Sequence, residues 1–259
     1  MSKIEKLKEF ISKIGKNGVV VMFSGGVDSV TLTKLCKDVI KRVFAVTVVS
    51  EVLSKYDVEY AKSVAKEIGV DHYILEIDLL NDENFVRNDE NRCYFCKKKM
   101  IRMVKEFASA VGVECIVEGT NVSELNEYRP GYRAVVEEGV YSPWIEVGID
   151  KEEIRSIAKK LGLSVHDNPP TTCLATRIPF GHRITHERLR RIEKAESIVR
   201  DLDFKVVRVR DYGDIAIVEV GREERSKFFN VDLMDYLSKS LKDLGYKYVT
   251  LNLEGYSRF

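Results

Sequence analysis

Thiols are scarce in this chain. Five cysteines in 259 residues are too few, in a chain of this size, for the disulfide framework that stabilises small secreted domains. An excess of charge of either sign is missing too. Lys and Arg number 42 against 41 Asp and Glu, a net charge of +1, so neither nucleic acid nor a membrane surface is indicated as the main partner. No apolar run approaches the length needed to span a bilayer. The opening stretch MSKIEKLKEFISKIGKNG interrupts every apolar segment with Lys or Glu, which reads as an amphipathic helix rather than a secretion signal. Internal repeats, low-complexity segments and long linkers are absent as well. Together these point to a cytoplasmic, water-soluble protein. In a reducing compartment, cysteines that cluster are metal-binding or catalytic.

What is present suffices for a proper core, in one large domain or two smaller ones: 44% of residues are hydrophobic and 32% charged. In the first half, β-branched runs at 18–23, 43–49, 72–77 and 114–118 alternate with helical periodicity at 29–41, 56–69 and 96–111. That alternation predicts an α/β domain with a parallel sheet and helices on both faces, over about 1–165. It includes a helix near 150–162 opened by Asp150 and Glu153 as a capping box. After DNPPTT the pattern changes. A helix from Thr185, a hairpin KVVRVR–DYGD–DIAIVEV, a helix over 231–243 and a closing strand YVTLNLEGY predict a small α+β domain over 166–259.

The sharpest local signal is FSGGVDSVTL, residues 23–32, placed directly after the first strand and opening the first helix of the alternation. Gly25 and Gly26 permit a tight turn and close approach to a ligand. The amides at the helix N-terminus then face an anion, with Ser24 and Ser29 at the rim. The stretch has neither the Gly-Lys-Ser/Thr ending of a Walker loop nor the GxGxxG fingerprint. VEGTN, residues 117–121, ends the fourth strand. Ligands bind at the carboxyl ends of strands in open α/β sheets, which places Gly119, Thr120 and Asn121 at the same pocket.

Three cysteines stand apart from the apolar patterns that hold Cys36 and Cys115. Cys93 and Cys96 form a CxxC in ENRCYFCKKKM, and Cys173 lies in the proline-marked loop DNPPTTCLATRIPFG, four residues before Arg177. An Arg near a thiol favours the thiolate and also attracts carboxylate or phosphate. Arg208 and Arg210 alternate onto one face of a strand, suited to an anionic substrate. Lys97, Lys98 and Lys99, and the run Arg188, Arg190 and Arg191, read as solvated helix surface. On the residues alone, Lys151 with Arg155 reads so too.

SGGVDS in its strand-to-helix slot resembles the pyrophosphate loop of the ATP pyrophosphatases, the PP-loop superfamily with an adenine nucleotide alpha hydrolase-like fold. RCYFCK, GTN, YRPG, SPW.EVGIDKEEIR, PTTCLATRIPFG, AE..VRDLDF and VRVRDYGDIAIVEV together resemble the LarE family, from Ser24 to about Val220. That resemblance implies an ATP-dependent sulfurtransferase forming AMP and pyrophosphate. Its substrate would be pyridinium-3,5-biscarboxylic acid mononucleotide, on the way to a nickel-pincer nucleotide. It implies Asp28 as a catalytic residue that positions pyrophosphate and magnesium, and Arg177, Arg208 and Arg210 on the substrate. It further implies Glu196 on a divalent metal, Cys173 at the sulfur step, the segment of Lys151 and Arg155 near the nucleotide, and a homo-oligomer. Some members carry only the counterpart of Cys173 and sacrifice its sulfur. Here Cys93 and Cys96 add two thiols, and three thiolates suit a 4Fe–4S cluster able to hold sulfide. A sacrificial Cys173, and structural zinc completed by His166 or His182, are the alternatives. A tRNA thiolation enzyme and a non-catalytic nucleotide sensor are the other functional readings.

Overall fold

The computed structural model describes residues 1–126, 128–168 and 172–256. Residue contacts divide the chain into two units, Met1–Phe85 with Glu90–Thr171 and Val86–Asp89 with Thr172–Phe259.

The first unit carries a four-stranded sheet in the order β3-β2-β1-β4, with β1 Val19–Met22, β2 Val43–Val49, β3 Asp71–Glu76 and β4 Ile116–Val117. Every pairing is parallel. All four residues of β1 are buried, as expected of a central strand covered on both faces. Helices α1 Lys3–Ile14, α2 Val27–Val39, α3 Lys55–Glu67, α4 Arg92–Ala110, α5 Pro130–Glu137 and α6 Lys151–Lys160 surround it. Strands β2 and β3 lie to one side of β1 and β4 to the other, so the chain reverses direction between β1 and β4. That switch point is where doubly wound sheets open a crevice at the carboxyl ends of their strands. Both motifs, SGGVDS after β1 and GTN after β4, issue from it. Helix starts follow the side-chain chemistry. Ser2 and Asp150 each form a full capping box, with Glu5 and Glu153 respectively. Helix α4 begins at Arg92, four residues before the periodicity suggested, and so encloses the CxxC in its first turns.

The second unit has α7 His186–Arg200, the antiparallel pair β5 Val207–Asp211 and β6 Ile215–Val220, α8 Val231–Asp243 and β7 Tyr248–Leu251. The last strand is shorter than YVTLNLEGY suggested and pairs parallel to β6. Burial alternates along β5. Val207 and Val209 join the core of this unit with Ala195, Val199, Val218, Leu237 and Leu241, which leaves Arg208 and Arg210 on the other face. The four-residue strap Val86–Asp89 also belongs here: Val86 O accepts from Ile184 N at 2.8 Å and Asn88 O from Gly181 N at 3.0 Å. A division of the chain at a single point near residue 165 does not contain that strap. Among the described residues no helix is long and apolar enough to cross a membrane.

Candidate functional site

In the first unit the loop between β1 and α2 shapes itself with its own serines. Ser24 Oγ and Ser29 Oγ lie 3.1 Å apart, Ser24 N donates to Ser29 Oγ at 3.2 Å, and Ser29 Oγ donates to Gly26 O at 3.1 Å. The two hydroxyls thus hold the loop open as a ring. Gly25 has φ 76, and a Cβ there would stand 3.0 Å from Ala61 Cα in α3, so both its conformation and its space demand glycine. Gly26 caps α2 with no side-chain bond, which leaves the first amides of that helix to an anion.

Asp28 sits on the first turn of α2 and is the meeting point of this unit. Its Oδ1 accepts from Asn121 Nδ2 at 3.2 Å, and its Oδ2 is ion-paired with Lys151. Its carbonyl accepts from Trp144 Nε1 at 3.3 Å. Lys151 and Arg155 are therefore not plain helix surface. Arg155 donates to the carbonyls of His166 and, at 2.8 Å, Asn168, the residues that lead into the Cys173 loop. Pro169, Pro170 and Thr171 of that loop lie outside the described residues. Gly119 is required by closeness, since a Cβ would come within 3.1 Å of Ser29 N. Thr120 Oγ1 is committed to Glu118 at 2.7 Å, so Thr120 shapes the loop while Asn121 reaches Asp28. Glu124 is a second carboxyl near Asp28, bound by Arg129 at 2.7 Å. Burial raises its pKa, Arg129 opposes this and the charge of Asp28 adds to it.

Glu118 itself is buried. It accepts from Thr120 N at 3.0 Å and Ser142 Oγ at 2.6 Å, with Lys97 Nζ at 3.6 Å. Lys97 follows Cys96 directly. The GTN loop and the CxxC helix are thereby joined through one carboxylate. Cys93 and Cys96 are half-buried and lie three residues apart, hence on one helix face. The buried Arg92 donates to Cys93 Sγ at 3.9 Å, and Cys96 Sγ is 3.7 Å from Met100 Sδ. A Cβ at Gly131 would meet Cys93 O at 3.3 Å, so YRPG brings α5 tightly against the start of α4.

In the second unit Cys173 immediately precedes a 3-10 turn, Leu174–Arg177. Arg177 is 4% exposed and almost all its donors are spoken for. Nε and Nη2 bond to Glu196 at 2.7 and 3.2 Å, and Nη1 lies within 2.8 Å of the carbonyls of Thr172 and Cys173. It is a staple through the thiol loop. Glu196, fully buried, also takes Arg200 at 2.8 Å and Val209 N at 3.1 Å. A divalent cation at Glu196 would have to displace those guanidinium groups. Arg208 donates to Val207 O at 2.7 Å and lies 5.1 Å from the centre of the Tyr256 ring. Burial lowers its pKa, and the charge of Arg177 adds to that. Arg210 binds Glu219 at 2.8 Å. The other Glu219 oxygen is buried without a hydrogen-bond partner among the described residues, on the face that carries both arginines. Arg188 and Arg191, read as solvated, instead grip the buried Asp211 at 2.7 and 2.5 Å.

Among the described residues no group of three or more His, Cys, Asp or Glu side chains is gathered to hold a metal ion. Sequence reasoning passed over Glu118 and Glu219, and read Lys151 as helix surface although the resemblance put its segment near the nucleotide. Glu118 and Glu219 are acids inside apolar strand patterns, which is a signal in itself.

A Gly-Gly loop between β1 and α2, an aspartate on the first helical turn and a GTN loop across the switch point define a PP-loop ATP pyrophosphatase. The sequence model of the NAD synthase family matches residues 1–177. An uncharacterized protein of Synechocystis is 36% identical over 98% of this chain and 95% of its own length. The pyridinium-3,5-bisthiocarboxylic acid mononucleotide synthase of Lactiplantibacillus plantarum is 32% identical over 92% of this chain and 86% of its own. A probable tRNA sulfurtransferase of Methanocaldococcus jannaschii is 30% identical over 43% of this chain and 29% of its own. The chain belongs to the LarE family of ATP-dependent sulfurtransferases within the PP-loop enzymes.

Proposed function

We propose that this enzyme adenylates a carboxylate of pyridinium-3,5-biscarboxylic acid mononucleotide and converts it to a thiocarboxylate. The observation that carries the reading is the similarity to the Lactiplantibacillus synthase over nearly the whole chain. The chemistry of the residues is consistent with it. A carboxylate oxygen is a poor leaving group. Attack on the α-phosphate of ATP releases pyrophosphate and makes the oxygen part of AMP. Sulfide then attacks the acyl carbon, AMP departs with the C–O bond electrons, and a thiocarboxylate remains. Amides of Gly25 to Asp28 would cradle the β,γ-phosphates, with Ser24 and Ser29 at the rim and Gly119 and Thr120 shaping the nucleotide side. Asp28, with Glu124 nearby, would hold magnesium in place of Lys151. Arg208 and Arg210 would meet the phosphate and carboxylates of the substrate. Arg177 would serve by holding the Cys173 loop.

Sulfur delivery is the finer part of the proposal. Three thiolates suit a 4Fe–4S cluster. The described residues do not gather them, so this part of the reading rests on the sequence resemblance. A cluster bound by Cys93, Cys96 and Cys173 would leave one iron open to exogenous sulfide. The donor set fits zinc less well. Zinc prefers four closed ligands, and His166 is already committed through Nδ1 to Leu163 O at 2.9 Å and through Nε2 to Asp167 at 3.0 Å.

Pyrophosphate release assayed with the dicarboxylate nucleotide tests the substrate. Release that depends on it supports the reading, and release only with tRNA moves the enzyme to the tRNA thiolases.

A further inference from the structure

We infer that Asn88 is a positioning residue for the sulfur step, the pin that sets the thiol loop from its downstream side. Asn88 is completely buried, and its side-chain amide donates to Pro179 O and His182 O, both at 2.8 Å, with Ile178 O at 3.4 Å. Its own carbonyl accepts from Gly181 N at 3.0 Å. One side chain therefore gathers three carbonyls of the segment that leaves the Cys173 turn. Arg177 gathers the carbonyls that precede it. The turn Leu174–Arg177, in which Leu174 and Ala175 are buried, is thus held on its upstream side by Arg177 and on its downstream side by Asn88.

The backbone of Asn88 adds a second, independent observation. Its φ is 59, the left-handed region that costs an ordinary side chain about 1–2 kcal/mol and that Asn tolerates best after Gly. The strap thus turns at the point where an amide must face three acceptors. A buried aspartate in the same shape would put negative charge against those oxygens. Position in the chain gives the pin its consequence. Asn88 belongs to the unit of Cys173, while Cys93 follows five residues later at the start of α4. The segment that fixes the thiol loop is continuous with the segment that carries the thiol pair.

The inference rests on the sulfur-transfer reading, and its test separates the two. Asn88→Gly keeps the left-handed backbone and removes the side-chain amide; Asn88→Asp keeps the shape and reverses the polarity. The first readout is alkylation of Cys173 by iodoacetamide in the chelator-treated full chain, mapped by mass spectrometry. The second is thiocarboxylate formed per AMP released. Loss of buried hydrogen bonds that fix a reacting group predicts alkylation faster by about tenfold in Asn88→Gly and more in Asn88→Asp, with a coupling ratio down by a similar factor while AMP formation stays near wild type. Wild-type alkylation and wild-type coupling in Asn88→Gly overturn the inference; so does faster alkylation with unchanged coupling. A wild-type enzyme that makes no thiocarboxylate sinks the functional reading instead, and loop positioning is then decided by alkylation. If neither variant folds, hydrogen exchange of the wild type decides. Amides of Gly181 and Ile184 protected as strongly as the β5–β6 ladder support the pin, and rapid exchange there contradicts it.

Discussion

The Gly-Gly loop after β1 and the loop that carries Cys173 are each held in a fixed geometry, but with different materials. Between β1 and α2 the protein uses backbone. Glycines allow close approach, helix amides face outward, and the serine hydroxyls are spent on the loop itself. Around Cys173 it uses long charged side chains, with Arg177, Glu196 and Arg200 locked in a buried network. A backbone cradle binds an anion whose shape never varies and can be rigid and generic. The loop at Cys173 is held instead by Arg177, which follows it, and by Glu196 and Arg200 carried from α7. The difference teaches where each site is fragile: the first in its glycines and one aspartate, the second in its ion pairs.

The largest effect should come from Asp28→Ala, which removes the acceptor of both Asn121 and Lys151. Pyrophosphate release should fall by about a hundredfold or more, the scale of losing a preorganised charge at a transferring phosphoryl group. Rates near wild type would break the assignment of this loop. Cys173→Ala should abolish thiocarboxylate formation while pyrophosphate release continues. Parallel loss of both would mean that the two regions do not divide the work in this way. Arg177→Met leaves the buried Glu196 short of its main partner. Unfolding in denaturant should show a loss of about 3–5 kcal/mol in the unit that holds it, as for a broken buried ion pair.

Legibility in the sequence followed the same divide. SGGVDS and GTN could be placed because glycine, serine and a strand-to-helix step leave a local mark, and the parallel sheet followed from the alternation of runs. The ion-pair network left none. Arg177, Arg188 and Arg191 are separated from their acids by some twenty residues, and a solvated surface and a buried pair look alike until the fold brings the partners together. The strap Val86–Asp89 was likewise invisible, because a four-residue exchange between units has no composition of its own. Lys151 read as helix surface from the residues alone, and only the resemblance put its segment near the nucleotide.

Two smaller tests sharpen the comparison. Gly25→Ala forces a side chain into φ 76 against Ala61 and should cost about 1–2 kcal/mol of local strain, seen as a raised ATP KM with thiol alkylation unchanged. Asp211 supplies the acid side. Burial raises its pKa, but the Gly213 amide, Arg188 and Arg191 outweigh that and hold it below the ordinary carboxylate value. A carboxyl depressed in the folded state contributes stability that is present above its unfolded pKa, about 3.9, and is lost as pH falls through the folded value. The unit around Asp211 should therefore loosen below about pH 4, and Asp211→Asn should flatten that acid limb in a pH series of denaturant midpoints.

Delivery of sulfur to the activated carboxylate is the step on which the proposed reaction depends. The direct measurement is anaerobic purification followed by repeated turnover with ATP, the dicarboxylate nucleotide and sulfide, counting product per chain and then weighing the intact protein. Several products per chain from an iron- and sulfide-containing protein, with Cys173 unchanged in mass, is the predicted result. An iron-free protein that stops after a single product and has lost the elements of hydrogen sulfide at Cys173 would contradict it.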